Sequence, residues 1–150
     1  DAVRAQHLDE SRRLGRPTAE QPTFVFGHTH KPFAASLPIP GWSGPVPVLN
    51  TGGWVVDGTD PHPMNGAAVV LVDDRLDAAA VHVSTQSPNG ANQRVRVMAP
   101  TSSPLAAWLA ERIDPADGPW RHLARIGAAE VVRRRGQTAR RLTRSVASLR

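Results

Sequence analysis

Two histidines two residues apart, His28 and His30, are the side chains of this 150-residue chain best suited to chemistry. Imidazole binds zinc, manganese and iron, and a hydrogen bond to its other ring nitrogen fixes the tautomer. In an extended or turning segment, side chains at i and i+2 project the same way, so the pair reaches one metal ion or two neighbouring ones. The chain has no cysteine, which excludes thiolate zinc sites, cysteine nucleophiles and disulfide scaffolds. Any metal here needs imidazole and oxygen ligands.

The elements that must position this pair follow from the flanking residues. Thr23-Phe24-Val25-Phe26, bounded by Pro22 and Gly27, predicts a buried strand that runs directly into Gly27-His28-Thr29-His30. That places both imidazoles at a carboxyl strand edge, where open α/β sheets carry their sites. Gly27 lets the backbone turn there, and Thr29 is expected to bond the loop backbone. Upstream, Asp1 to about Gly15 reads as a weakly amphipathic surface helix carrying His7 on its surface and stopped by Gly15 and Pro17. Downstream, five prolines and two glycines between Lys31 and Pro47 predict an ordered surface loop.

Val48-Leu49 then reads as a short strand, Asn50-Thr51-Gly52-Gly53 as a sharp turn, and Trp54-Val55-Val56 as the start of another strand before a loop holding His62. Ala67–Val72 and Ala78–Val83, joined by polar residues, form a predicted hairpin with His82 on its solvent side. Arg94–Val97 alternates strictly, as an edge strand does. Beyond Pro100 the period becomes helical: Ser103 caps a helix that has Pro104 at its first position and breaks at Asp114-Pro115. Trp120, Leu123, Ile126 and Val131 supply the apolar stripe of a second helix, which continues through the arginines or frays near Gly136.

Taken together, Phe24-Val25-Phe26-Gly27-His28-Thr29-His30-Lys31-Pro32-Phe33, then a loop, then Val48-Leu49-Asn50-Thr51-Gly52-Gly53-Trp54 form an ordered set. It resembles the calcineurin-like metallophosphoesterases, whose last signature is Gly-His-x-His followed by a short strand and an Asn-x-Gly-(Ser/Gly) turn. The resemblance spans about Thr23 to Val83. It implies an α/β (α+β) fold, residues 1–98 being the C-terminal part of a four-layer α/β/β/α sandwich and residues 99–150 a helical, Arg-rich extension. It further implies that His28 and His30 each bind one of two divalent metal ions (Mn, Fe or Zn) sharing a bridging hydroxide, and that the substrate is a phosphate ester. Two cations about 3.5 to 4 Å apart lower the pKa of a bridging water and absorb charge in an in-line displacement.

The same resemblance sets a limit. The family's earlier signatures, Asp-x-His, Gly-Asp and Gly-Asn-His-(Asp/Glu), supply the carboxylates and the leaving-group acid, and none of them precedes Gly27. His7, the one upstream histidine, lies mid-helix and reads as a surface residue. The chain is therefore expected to be the distal part of a longer enzyme, holding alone a partial metal site and no activity.

Several neighbours carry two readings. Lys31, the only lysine, either meets a substrate phosphate or is a solvated loop charge. Asn50, Gly52 and Gly53 either touch the histidine loop or serve turn conformation, which is the simpler reading. Trp42 and Trp54 either line a cleft or fill core.

Charge divides the chain. Through Asp117 there are nine basic and twelve acidic residues, a balance of −3; from Gly118 onward nine arginines face only Glu130, a balance of +8. A basic helix of this kind suits anionic membrane or nucleic acid, or is a solvated face. It frames the alternative to an enzyme: a catalytically silent module tethered by its Arg-rich helix. No stretch has the length and apolarity of a membrane span and no signal-peptide pattern opens the chain, so a cytoplasmic location is expected, peripheral to the membrane if the basic helix binds lipid.

Overall fold

A computed structural model describes residues 2–17, 21–53, 59–60, 66–85, 92–114 and 116–148. The elements are α1 (Ala2–Leu14), β1 (Phe24–Phe26), β2 (Phe33–Leu37), β3 (Val46–Asn50), β4 (Gly66–Val72), β5 (Ala78–Thr85), β6 (Gln93–Met98), α2 (Pro104–Arg112) and α3 (Gly118–Ala147). The fold is mixed α+β, with two three-stranded sheets and three helices among the described residues.

The first sheet has the order β1-β3-β2, with β1 parallel and β2 antiparallel to the central β3. The second is the antiparallel meander β4-β5-β6. The two sheets pack face to face: Leu49 and Ala34 of the first meet Ala68, Val70, Ala78 and Ala80 of the second. The opposite face of the second sheet, Ala79, Val81, Val83, Val95 and Val97, is covered by Leu109, Ile113, Trp120 and Ala124. Strand alternation assigns these two sets to opposite faces, so β5 is covered on both sides.

The expected hairpin, the β6 edge strand and the Ser103 cap all form. Ser103 Oγ accepts from Ala106 N at 3.2 Å, and Pro104 opens α2. Trp120 Nε1 donates to Arg112 O at 2.7 Å and ties α3 to α2. Four expectations are corrected.

The predicted loop from Lys31 to Pro47 contains β2 and the start of β3. Pro32, Pro38 and Pro45 flank strand ends and Pro40 lies in the connection between β2 and β3, while Pro47 lies where β3 has only β2 beside it, because β1 pairs from Val48 onward. Proline is tolerated on such an unpaired flank. The strand at Phe24–Phe26 is an edge and not buried: Val25 is 47% and Phe26 42% exposed. In α3 the sheet-facing stripe is Trp120, Ala124 and Ala128 at steps of four, leaving Leu123 and Ile126 exposed; the alanines let the helix approach the sheet closely. The helix also runs through Gly136 without fraying.

His82, expected on a solvated face, is 1% exposed. Alternation predicts a wet face only when one side of a sheet is covered, and here helices cover one side of β5 and the first sheet the other. The predicted strand at Trp54–Val56 and the loop around His62 lie outside the described residues.

Candidate functional site

The parallel pairing of β1 and β3 builds the site. Phe24, Val25 and Phe26 lie beside Val48, Leu49 and Asn50, so both strands end at the same edge. Residue 27 onward leaves β1 at that edge, yet β2 begins at Phe33 on the far side of β3, opposite Asn50. The segment Gly27–Pro32 must therefore cross the end of β3, over the turn Asn50–Gly53. Two motifs about twenty residues apart in sequence are brought into contact by topology.

The contacts are specific. Asn50, fully buried, donates from Nδ2 to Thr29 Oγ1, while its Oδ1 accepts from Gly52 N at 2.9 Å. One side chain thus closes its own turn and holds the residue between the two histidines. Thr29, expected to bond backbone, bonds this side chain instead. Thr51 N donates to Phe26 O at 2.9 Å and Ala68 N donates to Thr51 O at 2.8 Å, so Thr51 links the end of β1 to β4. Gly27 passes so close that a Cβ there would lie 2.9 Å from Thr51 Oγ1.

Glycines make the room. A Cβ on Gly53 would overlap the His30 ring, which occupies the space that glycine leaves. Gly52 has φ +70 and packs under the buried Pro32; a Cβ there would lie 2.9 Å from Pro32 Cδ. Both readings of these residues hold at once: they shape the turn and they touch the histidine loop.

His28 is exposed with φ +106, a conformation uncommon for a residue bearing a side chain. His30 is half-buried against Gly53, and Lys31 is exposed. The donor chemistry fits a metal in part. Two imidazoles stand at one strand edge, one of them seated in a glycine cradle, while among the described residues no three His, Asp or Glu side chains gather as a metal ion needs.

The other sequence candidates serve packing. His7 is half-buried, its ring 5.3 Å from that of Trp42, which stands 6.3 Å from Phe24. This ladder brings α1 against the outer face of the first sheet, and it settles Trp42 as a filler. Trp54 lies outside the described residues. The group the sequence missed is His82, whose Nδ1 accepts from Arg96 Nε at 3.3 Å. Its Nε2 is buried without a partner and lies 2.9 Å from where a Gly66 Cβ would be. Gly66 in turn abuts Gly52, so His82 stands one layer behind the turn. Burial, and secondarily the Arg96 charge, lower its pKa to about 4.

Comparison with known protein families, curated proteins and solved structures finds no match.

Proposed function

We propose that this chain is the C-terminal part of a calcineurin-like metallophosphoesterase, contributing His28 and His30 to a dinuclear centre that hydrolyses a phosphate ester. The observation that carries the reading is the crossing of the Gly27–Pro32 segment over the Asn50–Gly53 turn, which joins both halves of the resemblance in space. The two face-to-face sheets, with α2 and α3 outside the second and α1 against the first, suit a part of the α/β/β/α sandwich.

His28 and His30 would hold two divalent ions, Mn, Fe or Zn, through ring nitrogens. When bound, such ions supply a hydroxide nucleophile at neutral pH and Lewis-acid stabilisation of the phosphoryl oxygens. The chain's own residues supply position. Asn50 fixes the loop through Thr29, Gly53 admits the His30 ring, and the parallel strands set the spacing of the two segments. Lys31, exposed and next to His30 in the chain, would in this reading meet a phosphate oxygen of the substrate. Carboxylate ligands and the leaving-group acid belong, in this reading, to segments outside this sequence.

The test is manganese-dependent hydrolysis of an aryl phosphate by the full-length protein, compared with His28→Ala and His30→Ala. Each substitution is expected to lower kcat/KM by at least 100-fold. Equal rates in all three proteins would remove these histidines from the mechanism and end the reading.

A further inference from the structure

α3 is longer than the body it packs against. Trp120, Ala124 and Ala128 seat its first half on the second sheet, whereas every residue from Ala139 to Ser148 is exposed. At 1.5 Å per residue these ten residues project about 15 Å. The sheet-facing stripe nevertheless continues along the projection as Leu142 and Val146, 55% and 56% exposed.

The charges are sorted along the same axis. Glu130, whose pKa is lowered to about 2 chiefly by its bonds to Arg133 and Arg134, pairs with both at 2.7 and 2.6 Å. Arg135 reaches Thr59 O and Asp60. Arg140, Arg141 and Arg144 follow in a stretch that contains no carboxylate at all, and among the described residues no ion pair engages them. At about 100° per residue, Leu142 and Val146 share one face and the three arginines centre on the opposite one.

We infer that the distal part of α3 is a docking surface for an anionic membrane, lying in the headgroup plane with Leu142 and Val146 dipped toward the acyl boundary. A lipid surface takes both faces of such a helix, apolar residues below and arginines at headgroup level. A nucleic acid takes only the arginines and leaves Leu142 and Val146 in water, with no aromatic side chain in the projection to stack on bases. Charge complementarity and the aligned apolar pair together select the membrane. This surface shares no residue with the histidine loop and does not depend on the phosphoesterase reading.

The experiment is flotation of the chain with vesicles of phosphatidylcholine alone and of phosphatidylcholine with about one-third phosphatidylglycerol, with a short DNA duplex as competitor. The chain is expected to bind the anionic vesicles, to release as salt rises, and to ignore the neutral ones. Arg140→Gln/Arg141→Gln/Arg144→Gln is expected to weaken binding about 100-fold, about fivefold per arginine. Leu142→Ser/Val146→Ser is expected to weaken it about tenfold. All five side chains are exposed, so circular dichroism of both variants is expected to match the parent. Absence of binding to anionic vesicles, equal binding to neutral ones, or unchanged vesicle binding by the Ser variant overturns the proposal. So does duplex DNA that binds more tightly than the vesicles and equally well to the Ser variant.

Discussion

Asn50 donates its side-chain amide to Thr29, twenty-one residues earlier in the chain and set between the two histidines. Because Asn50 has no solvent exposure, neither half of its amide has water as a substitute partner. Asn50→Ala is expected to cost about 2 kcal/mol of stability in urea unfolding. The double-mutant cycle with Thr29→Val is the sharper measurement: a coupling of about 1 kcal/mol is expected, and additive effects would mean the two side chains do not support each other.

His28 holds a backbone conformation that glycine adopts freely. His28→Gly is therefore expected to stabilise the fold by about 1 kcal/mol while removing an imidazole from the loop. Chemical denaturation reads the first effect and manganese-dependent activity of the full-length protein the second. A loss of stability would show that the His28 side chain supports the fold.

The His30 ring fills the space left by Gly53. Gly53→Ala is expected to displace it, costing about 1–3 kcal/mol. In the double variant Gly53→Ala/His30→Ala the overlap is gone, and most of the loss should return. Failure of that rescue would locate the strain elsewhere in the turn.

His82 makes stability depend on pH. Its folded pKa of about 4 lies below the ordinary 6.5, so between these values the unfolded chain binds more protons than the native one. Its contribution is fully present above pH 6.5, falls as pH drops from 6.5 towards 4, and is lost below; the total is on the order of 3 kcal/mol. Arg96 is the cation facing the ring, and its bond to Nδ1 leaves the proton of the neutral ring on Nε2, the buried atom with no acceptor. His82→Phe removes that orphaned donor, so the pH slope across this window should flatten with little cost at pH 7. An unchanged slope would assign the acid sensitivity to other groups.

The sequence made the histidine loop, the hairpin and the capped helix α2 legible because each is encoded locally: glycine after an aromatic run, alternation around a polar turn, Ser103 before Pro104. What it hid was set by layers. Val25 and Phe26 read as buried because an apolar run does not say whether a second strand flanks it. His82 read as exposed because alternation does not count how many faces are covered. The contact of Asn50 with Thr29 depends on β1 and β3 being parallel neighbours, which no local pattern records.

Thr51 is bonded through its N–H to the end of β1 and through its carbonyl to β4, so one residue pins both sheets beside the histidine loop. A ligand that binds the loop of the folded chain and not the unfolded chain raises the stability of the whole fold. By mass action, a ligand at 100 times its dissociation constant adds about 2.7 kcal/mol to the folded state. Thermal melting would then serve as a gauge of site occupancy, readable with no substrate and no turnover.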